Sequence, residues 1–263
     1  MNEEVLLEKR DQIAILTLNR PDRANTLNPE LMAALQGHAA DAARDAEVRV
    51  LIVTGAGRHF CGGADLRAMR AGGGARPAGG PPGPGLALDW VSKPVIAAIN
   101  GAAMGGGCEL ALTCDFRLMS ATATIGLTEI RFGALPAGGG TVRAPRLLGL
   151  AQAKRMIMIG EPVDAAEARR IGLVDEVLEP DALLPRAFEL AGVLASRAPY
   201  AMRTAKQLLN RTLDLDLASA LEIERTLIAR MATPAEMQAA REEASARSST
   251  YANIFAKPDA EAN

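Results

Sequence analysis

The chain has 263 residues, of which 49% are hydrophobic and 23% are charged. This composition is typical of a globular protein and excludes a disordered chain, a collagen and a disulfide-rich scaffold. Lysine and arginine number 29 against 31 aspartates and glutamates, and only 3% of residues are aromatic. Because nucleic-acid binding relies on excess positive charge and on aromatic stacking, we expect no nucleic acid among the partners.

Cysteine and histidine form no recognisable metal-binding pattern. The residues are Cys61, Cys108, Cys114, His38 and His59. Their spacings do not match those of metal ligands, so we predict no metal site. An odd number of cysteines favours buried, reduced thiols in a cytoplasmic protein.

The distribution of apolar residues predicts neither a signal peptide nor a membrane span. The first four residues include two glutamates and lead into no apolar signal core. The most apolar stretch, residues 95–113, is interrupted by glycines and by Glu109. We therefore predict a cytoplasmic location and no membrane partner.

The first fifty residues predict a hairpin, a helix and a buried strand. Residues 5–18 have the pattern of two short strands around a turn at residues 10–12. Asn28 fits the N-cap of a helix that begins with a proline and continues to about Ala46. Residues 48–54 are almost continuously apolar, which is typical of a parallel strand covered on both faces.

Residues 72–85 interrupt this pattern, because eleven of the fourteen are glycine or proline. We expect a mobile loop there rather than a packed element. A strand at 95–100, a glycine-rich turn and a helix beginning near Cys108 follow, with short strands at 115–119 and 122–125. Such alternation favours an α/β fold with parallel strands.

The pattern becomes helical after about residue 140. The helical segments are residues 142–148, 151–159, 165–171, 183–197, 201–213, 218–231 and 234–246. Only residues 173–178 resemble a strand in this half of the chain. We divide the chain into a core domain over residues 1–200 and a C-terminal helical region over residues 201–263.

Three segments combine glycines with isolated polar residues: 60–66, 100–110 and 126–141. Each of the first two reads as a strand end, a glycine turn and a helix start, which we place near Ala64 in the first. Free N–H groups at such turns can hold a phosphate or an oxygen that gains negative charge. Glu109 and Glu129 could then act as general base and general acid if their environments differ. A simple packing turn and a carboxylate that only matches a helix dipole are the alternatives.

Together these segments resemble the crotonase family, also called the enoyl-CoA hydratase/isomerase family, over roughly residues 5–230. The matching motifs, in the family's order, are residues 18–21, 24–27, 60–66, 93–101, 105–110, 114–115, 129–130, 133–136 and 139–141. The resemblance implies an α/β fold built as a spiral of ββα turns. It also implies a helical C-terminal region used for oligomer contacts, as a homotrimer or a dimer of trimers.

The resemblance implies roles for four residues. In this family two backbone N–H groups form an oxyanion hole for the thioester carbonyl of an acyl-CoA, and they match Ala64 and Gly106. The two glutamates of the hydratase subgroup match Glu109, which would deprotonate the water that adds to C3, and Glu129, which would deliver a proton to C2. The implied enzyme is a lyase, an enoyl-CoA hydratase. It needs no metal and no cofactor beyond the coenzyme A of its substrate.

The resemblance also implies the contacts to coenzyme A and water. The matching residues are Arg23, Ala24, Thr26, Gly62, Asp65, Leu66 and Arg67, and Ala137 stands where many relatives have glycine. We expect Asp65 to cap the helix that follows it, and the Ala137 N–H to help hold the water. The loop at residues 72–85 would be a mobile lid over the acyl pocket.

Four other functions compete with this interpretation. A Δ3–Δ2-enoyl-CoA isomerase, or a member that processes an unusual acyl group, would use the same family fold. An RNA-binding protein on that fold is the non-enzymatic alternative, and the balanced charge argues against it. A serine hydrolase is disfavoured because the sequence contains no Gly-x-Ser-x-Gly motif.

Overall fold

The computed structural model describes residues 3–65, 88, 90–212 and 214–246, the last four by their backbone alone. The strands are β1 (Val5–Arg10), β2 (Ile13–Leu18), β3 (Val50–Gly55), β4 (His59–Cys61), β5 (Val95–Ile99), β6 (Ala102–Met104), β7 (Phe116–Ser120), β8 (Thr124–Gly126), β9 (Val163–Asp164) and β10 (Glu176–Leu178). The helices are α1 (Pro29–Arg44), α2 (Gly106–Leu112), α3 (Gly140–Leu148), α4 (Leu150–Lys154), α5 (Ala165–Arg170), α6 (Pro180–Ala195), α7 (Pro199–Thr212), α8 (Leu217–Arg230) and α9 (Pro234–Ala246). Two 3-10 helices (Pro21–Arg23 and Glu129–Phe132) and a π-helical segment (Arg155–Ile159) complete the described elements.

The described strands form two sheets. The larger has the order β1-β2-β3-β5-β7-β10, in which β1 and β2 are antiparallel and the other pairs are parallel. The smaller has the order β4-β6-β8-β9, with only the β8–β9 pair antiparallel. Parallel neighbouring strands need crossover connections, so this topology agrees with the α/β alternation predicted from the sequence.

The large sheet is covered on both faces. Alternate residues of β3 point to opposite sides: Leu51 and Val53 join a core that includes α1 and the small sheet, whereas Val50 and Ile52 pack against α6. All six residues of β3 are buried, as the continuous apolar run predicted.

Most of the predicted elements are confirmed. The hairpin turns at Asp11, and the Asn28 side chain accepts a hydrogen bond from the Leu31 N–H at the start of α1. That helix ends at Arg44, two residues earlier than expected. Among the described helices, none is long and apolar enough to cross a membrane.

Three expectations about local structure need correction. Ala64 is not helical, because it pairs with Leu27 in an isolated parallel bridge. The strand expected at residues 173–178 covers only β10. The short strands β4, β6 and β9 were missed, β6 within the expected glycine-rich turn, because two or three residues are too few to show alternation. The predicted loop at residues 72–85 lies outside the described residues, and the division into two domains remains a prediction.

Lys206 fastens the C-terminal helix α7 to the large sheet. Its Nζ lies 2.6 Å from Asp115 Oδ2 and 2.9 Å from the Lys93 carbonyl oxygen, and its side chain is only 9% exposed. Asp115 Oδ2 also accepts a hydrogen bond from the Val95 N–H. The pair therefore holds α7 beside the entry to β5 and β7.

Replacement of Lys206 by methionine is expected to lower the free energy of unfolding by about 3 kcal/mol, because it leaves a largely buried carboxylate without its cation. Urea unfolding followed by circular dichroism measures this change. The exposed Lys154→Met is the matched control, for which we expect a change within about 0.5 kcal/mol. Equal stabilities of the two variants would contradict the role assigned to Lys206.

Candidate active site

The predicted N–H donors follow two neighbouring parallel strands, β4 and β6, and therefore lie at the same end of the small sheet. Both strands lead into glycine turns at the same edge of the small sheet, the first at Gly63 and the second at Gly105. Gly63 has a φ of +90°, and a Cβ there would lie 2.6 Å from the Met104 carbonyl oxygen and 3.4 Å from the Gly106 nitrogen. Only glycine allows this backbone conformation and this close approach of the two turns.

The N–H groups of Ala64 and Gly106, the two predicted donors, lie close together. In the bridge with Leu27, the Gly63 carbonyl accepts from the Leu27 N–H and the Asp65 N–H donates to the Leu27 carbonyl. The Ala64 N–H therefore points away from Leu27. Gly106 is the first residue of α2, so its N–H has no acceptor within the helix. A Cβ on Gly106 would lie 3.8 Å from the Ala64 nitrogen, which places the two donors close together.

Glu109 is held by two backbone donors. It lies in the first turn of α2, is 4% exposed, and its Oε1 accepts hydrogen bonds from the Gly138 N–H at 2.7 Å and the Gly140 N–H at 2.8 Å. Burial raises the pKa of this carboxyl, and the two N–H groups act in the opposite direction. The loop at residues 138–140 thus fixes one carboxylate oxygen of Glu109.

Glu129 occupies a different environment. It begins the 3-10 helix after β8, and a Cβ on Gly105 would lie 3.1 Å from its Oε1. Its Oε2 is buried and has no hydrogen-bond partner among the described residues. Burial raises the pKa of Glu129, a hydrogen bond with its own backbone acts in the opposite direction, and the negative charge of Glu109 raises the pKa further.

The three cysteines are buried and free, as predicted. Burial raises the pKa of the thiols of Cys61 and Cys114 to about 12 each, so neither is a nucleophilic thiolate near neutral pH. Burial also raises the pKa of the Cys108 thiol, and the negative charges of Glu109 and Glu129 raise it further. In the described parts of the chain, no group of three or more His, Cys, Asp or Glu could hold a metal ion.

Most of the described residues that were predicted to contact coenzyme A lie in two neighbouring segments. Those at residues 23–26 and 62–65 lie together, because the Gly62 N–H donates to the Ala24 carbonyl and the Thr26 Oγ1 lies 3.3 Å from Asp65 Oδ2. Arg23 is exposed at the end of its 3-10 helix. Ala137 is exposed in the loop that holds Glu109, next to Gly138. Leu66, Arg67 and the helix that Asp65 was expected to cap lie outside the described residues.

Sequence reasoning missed several groups that shape this site. Gly138 and Gly140 were noticed only as part of a motif, although their N–H groups hold Glu109. Arg20, whose side chain is 15% exposed, contacts the Asp65 carboxylate. Asn25 is fully buried and joins the Arg20 N–H to the carbonyls of residues 56 and 59. Arg20 and Asn25, which flank the turn at Pro21, are the polar residues in the sequence that could have pointed to these contacts.

The family model for enoyl-CoA hydratase/isomerase matches residues 8–249 of the chain. A short-chain-enoyl-CoA hydratase from Clostridium acetobutylicum is 40% identical over 227 residues, covering 84% of this chain and 86% of the relative. The crystal structure of an enoyl-CoA hydratase from Bacillus anthracis has a TM-score of 0.80 at 36% identity, covering 86% and 90% of the two chains. A monofunctional enoyl-CoA isomerase from Mycobacterium smegmatis has a TM-score of 0.72 at 35% identity, covering 84% and 99%.

These findings confirm the expected fold, which is that of solved enoyl-CoA hydratases. They also confirm the prediction of an enzyme of the hydro-lyase class, since named hydratases are similar over most of the chain. The glutamate pair, the glycine turns and strands β2 to β10 lie within the matched span. The chain belongs to the enoyl-CoA hydratase/isomerase family.

Proposed function

We propose that the protein is an enoyl-CoA hydratase, which reversibly adds water across the C2–C3 double bond of a 2-trans-enoyl-CoA to give a 3-hydroxyacyl-CoA. The observation that carries this proposal is the pair of carboxyl groups beside two converging N–H donors. Glu109 is held by two N–H groups, whereas the Glu129 Oε2 is buried without a partner among the described residues. Hydration needs one base and one acid, and these environments supply one of each.

The two N–H donors stabilise the charge that forms during the reaction. As water attacks C3, the electrons of the double bond move through C2 onto the thioester oxygen. The N–H groups of Ala64 and Gly106 bind that oxygen more strongly as it becomes an enolate. Since both groups are backbone atoms fixed by strand pairing and by the start of α2, little reorganisation is needed.

The two glutamates move the protons. Glu109 takes a proton from the water as its oxygen bonds to C3, and the Ala137 N–H helps to orient that water. Glu129 transfers its proton to C2 as the enolate collapses, which completes a syn-addition. Dehydration follows the same steps in reverse.

The pH dependence of kcat/KM should follow this assignment. Burial raises the pKa of both carboxyls, but two N–H groups counteract this at Glu109, and the charge of Glu109 adds to it at Glu129. We expect kcat/KM to rise with pH as Glu109 ionises, with a midpoint above the ordinary glutamate value of 4.5, and to fall as Glu129 loses its proton. Initial rates with crotonyl-CoA across the pH range test this. An acidic limb at or below the ordinary value would contradict it.

An isomerase that moves a double bond between C3 and C2 is the second candidate, and its support is the similarity to the isomerase from M. smegmatis. Such an enzyme needs one carboxyl to shuttle a proton and no base for water. The way Glu109 is held by Gly138 and Gly140 favours hydration. Conversion of 3-hexenoyl-CoA into 2-hexenoyl-CoA without hydration would favour the isomerase.

We propose that coenzyme A binds at the residues predicted to contact it. These residues are Arg23, Ala24, Thr26, Gly62, Asp65, Leu66 and Arg67. Arg23 is exposed and can meet a phosphate group. No cofactor beyond the coenzyme A of the substrate is proposed, and the cytoplasmic location remains a prediction.

We also propose a homotrimer or a dimer of trimers, supported by an exposed apolar patch. Ile130 lies against Gly160, so the 3-10 helix packs beside the π-helical segment. Phe132, Met158 and Ile159 are 71%, 70% and 58% exposed on these two elements. Exposed apolar groups of this size usually mark a protein interface.

Light scattering is expected to give the mass of three or six chains, and Phe132→Glu is expected to lower it, because a charge would be buried in the interface. Leu184→Glu, a substitution at an exposed leucine of α6 outside both the patch and the C-terminal helical region, serves as the control. A monomeric wild-type protein would overturn the oligomer proposal.

The first experiment is the hydration of crotonyl-CoA by the purified protein, followed by loss of the enoyl-thioester absorbance. Rapid loss with formation of 3-hydroxybutyryl-CoA is the expected result. Binding of acyl-CoA without hydration would show that the reaction is wrong. Salt-sensitive binding of RNA without any acyl-CoA turnover would favour the non-enzymatic alternative.

A further inference from the structure

The position of the Ala64 N–H depends on a short ladder between residues 24–27 and 62–65. Three backbone hydrogen bonds form it: Gly62 N–H to the Ala24 carbonyl, Leu27 N–H to the Gly63 carbonyl, and Asp65 N–H to the Leu27 carbonyl. The segment carrying Ala64 is therefore held in register by the loop at residues 20–27. Any group that fixes this loop also fixes the donor.

Arg20 connects both sides of this ladder. Its Nη1 donates to the Thr26 carbonyl oxygen at 2.6 Å and to Asp65 Oδ2 at 3.1 Å, so one nitrogen contacts the two segments. Its Nε lies 2.9 Å from Glu4 Oε2, which anchors the guanidinium to the residue preceding β1. The Thr26 Oγ1 adds a contact to Asp65 Oδ2 at 3.3 Å. With a side chain only 15% exposed, Arg20 makes these contacts largely away from solvent.

The charge of Arg20 matters as well as its geometry. Asp65 follows Ala64 directly in the chain, and its side chain is only 13% exposed. A carboxylate on the residue next to the donor opposes the development of negative charge at that donor, and in a partly buried site its field is screened less than in water. The guanidinium on Asp65 Oδ2 offsets that effect.

We infer that Arg20 is a positioning residue for the oxyanion hole: it fixes the Ala64 N–H by joining Thr26 to Asp65, and it neutralises the Asp65 carboxylate beside that donor. The inference rests on the proposed function for its role in hydration. Its effect on the acyl-CoA carbonyl can be measured without hydration. Arg20 does not touch the substrate in this assignment.

The kinetic test uses Arg20→Gln, which removes the charge and the fork of donors. We expect kcat for crotonyl-CoA to fall by about 10- to 100-fold with a much smaller change in KM, because a misplaced donor weakens binding of the transition state more than of the substrate. Arg186→Gln is the matched control. Its side chain is 16% exposed and bonds Glu176 and Glu189 on the opposite face of the large sheet. The control should lose stability and keep its kcat.

A second measurement separates positioning from a general loss of structure. Acetoacetyl-CoA forms an enolate whose absorbance can be followed on the enzyme, and the oxyanion hole should lower the pKa of the bound ligand. We expect this pKa to be about one unit higher on Arg20→Gln than on the wild type. Loss of folded protein reduces the amount of bound ligand but leaves its pKa unchanged. Arg20→Lys, which keeps the charge, should recover part of the shift, and it serves as the test if Arg20→Gln does not fold.

The outcomes distinguish the two proposals. An unchanged enolisation pKa on the Arg20 variants would overturn the positioning role, even if the wild type hydrates crotonyl-CoA. A wild type that does not hydrate crotonyl-CoA, but whose bound enolate is destabilised by Arg20→Gln, would overturn the proposed reaction and support the role of Arg20.

Discussion

Replacement of Glu129 by glutamine is expected to lower kcat for crotonyl-CoA hydration by at least ~10²-fold, because the variant cannot give a proton to C2. The Glu129 Oε2 is buried without a hydrogen-bond partner among the described residues, and burial raises its pKa. Glutamine has nearly the same shape, so the packing against Gly105 should survive. Steady-state rates with crotonyl-CoA measure the loss.

Exchange of the C2 hydrogens of butyryl-CoA with deuterated water identifies the step that fails. This exchange needs only a base at C2 and the two N–H donors, so Glu129→Gln should abolish it. Glu161→Gln serves as the matched control, because its side chain is 62% exposed and pairs with Arg131 on the surface. Deuterium exchange at the wild-type rate in Glu129→Gln would assign the C2 proton to another group.

The Glu109→Gln variant is expected to lose hydration by ~10²- to 10⁴-fold while retaining C2 exchange. An amide cannot remove a proton from water at C3. It can still accept hydrogen bonds from Gly138 and Gly140, so the loop around it should stay in place. Crotonyl-CoA hydration and butyryl-CoA exchange, measured on the same preparation, test the separation of roles. Parallel loss of both activities would contradict it.

The stability of Glu109→Gln supplies a control for folding. Because burial raises the pKa of Glu109 in the folded protein, the folded state binds more protons than the unfolded state above about pH 4.5. Wild-type stability contributed by this group is therefore present at low pH and is lost as the pH rises through the folded pKa. Glutamine does not ionise, so the variant does not lose this stability as the pH rises. We therefore expect its Tm to exceed the wild-type Tm by a larger margin at pH 8 than at pH 5. A Tm below the wild type at both pH values would indicate damage to the loop instead.

Much of the scaffold could be predicted because its signals are local. The hairpin of β1 and β2, the Asn28 cap of α1 and the buried run of β3 follow from residues adjacent in sequence. The amphipathic spacing of the C-terminal segments predicted α6 to α9 within a few residues. The short strand β9 escaped, since two residues carry no periodicity.

By itself, the sequence determined the α/β architecture, the two glycine turns and the two glutamates, since each is encoded in a short stretch with its own pattern. Only the tertiary structure decided how they combine. The pairing of Ala64 with Leu27, the two N–H groups on Glu109 and the contact of Arg20 with Asp65 join residues 29 to 45 positions apart. Long-range pairings of this kind depend on which strands become neighbours, and no local propensity records that choice.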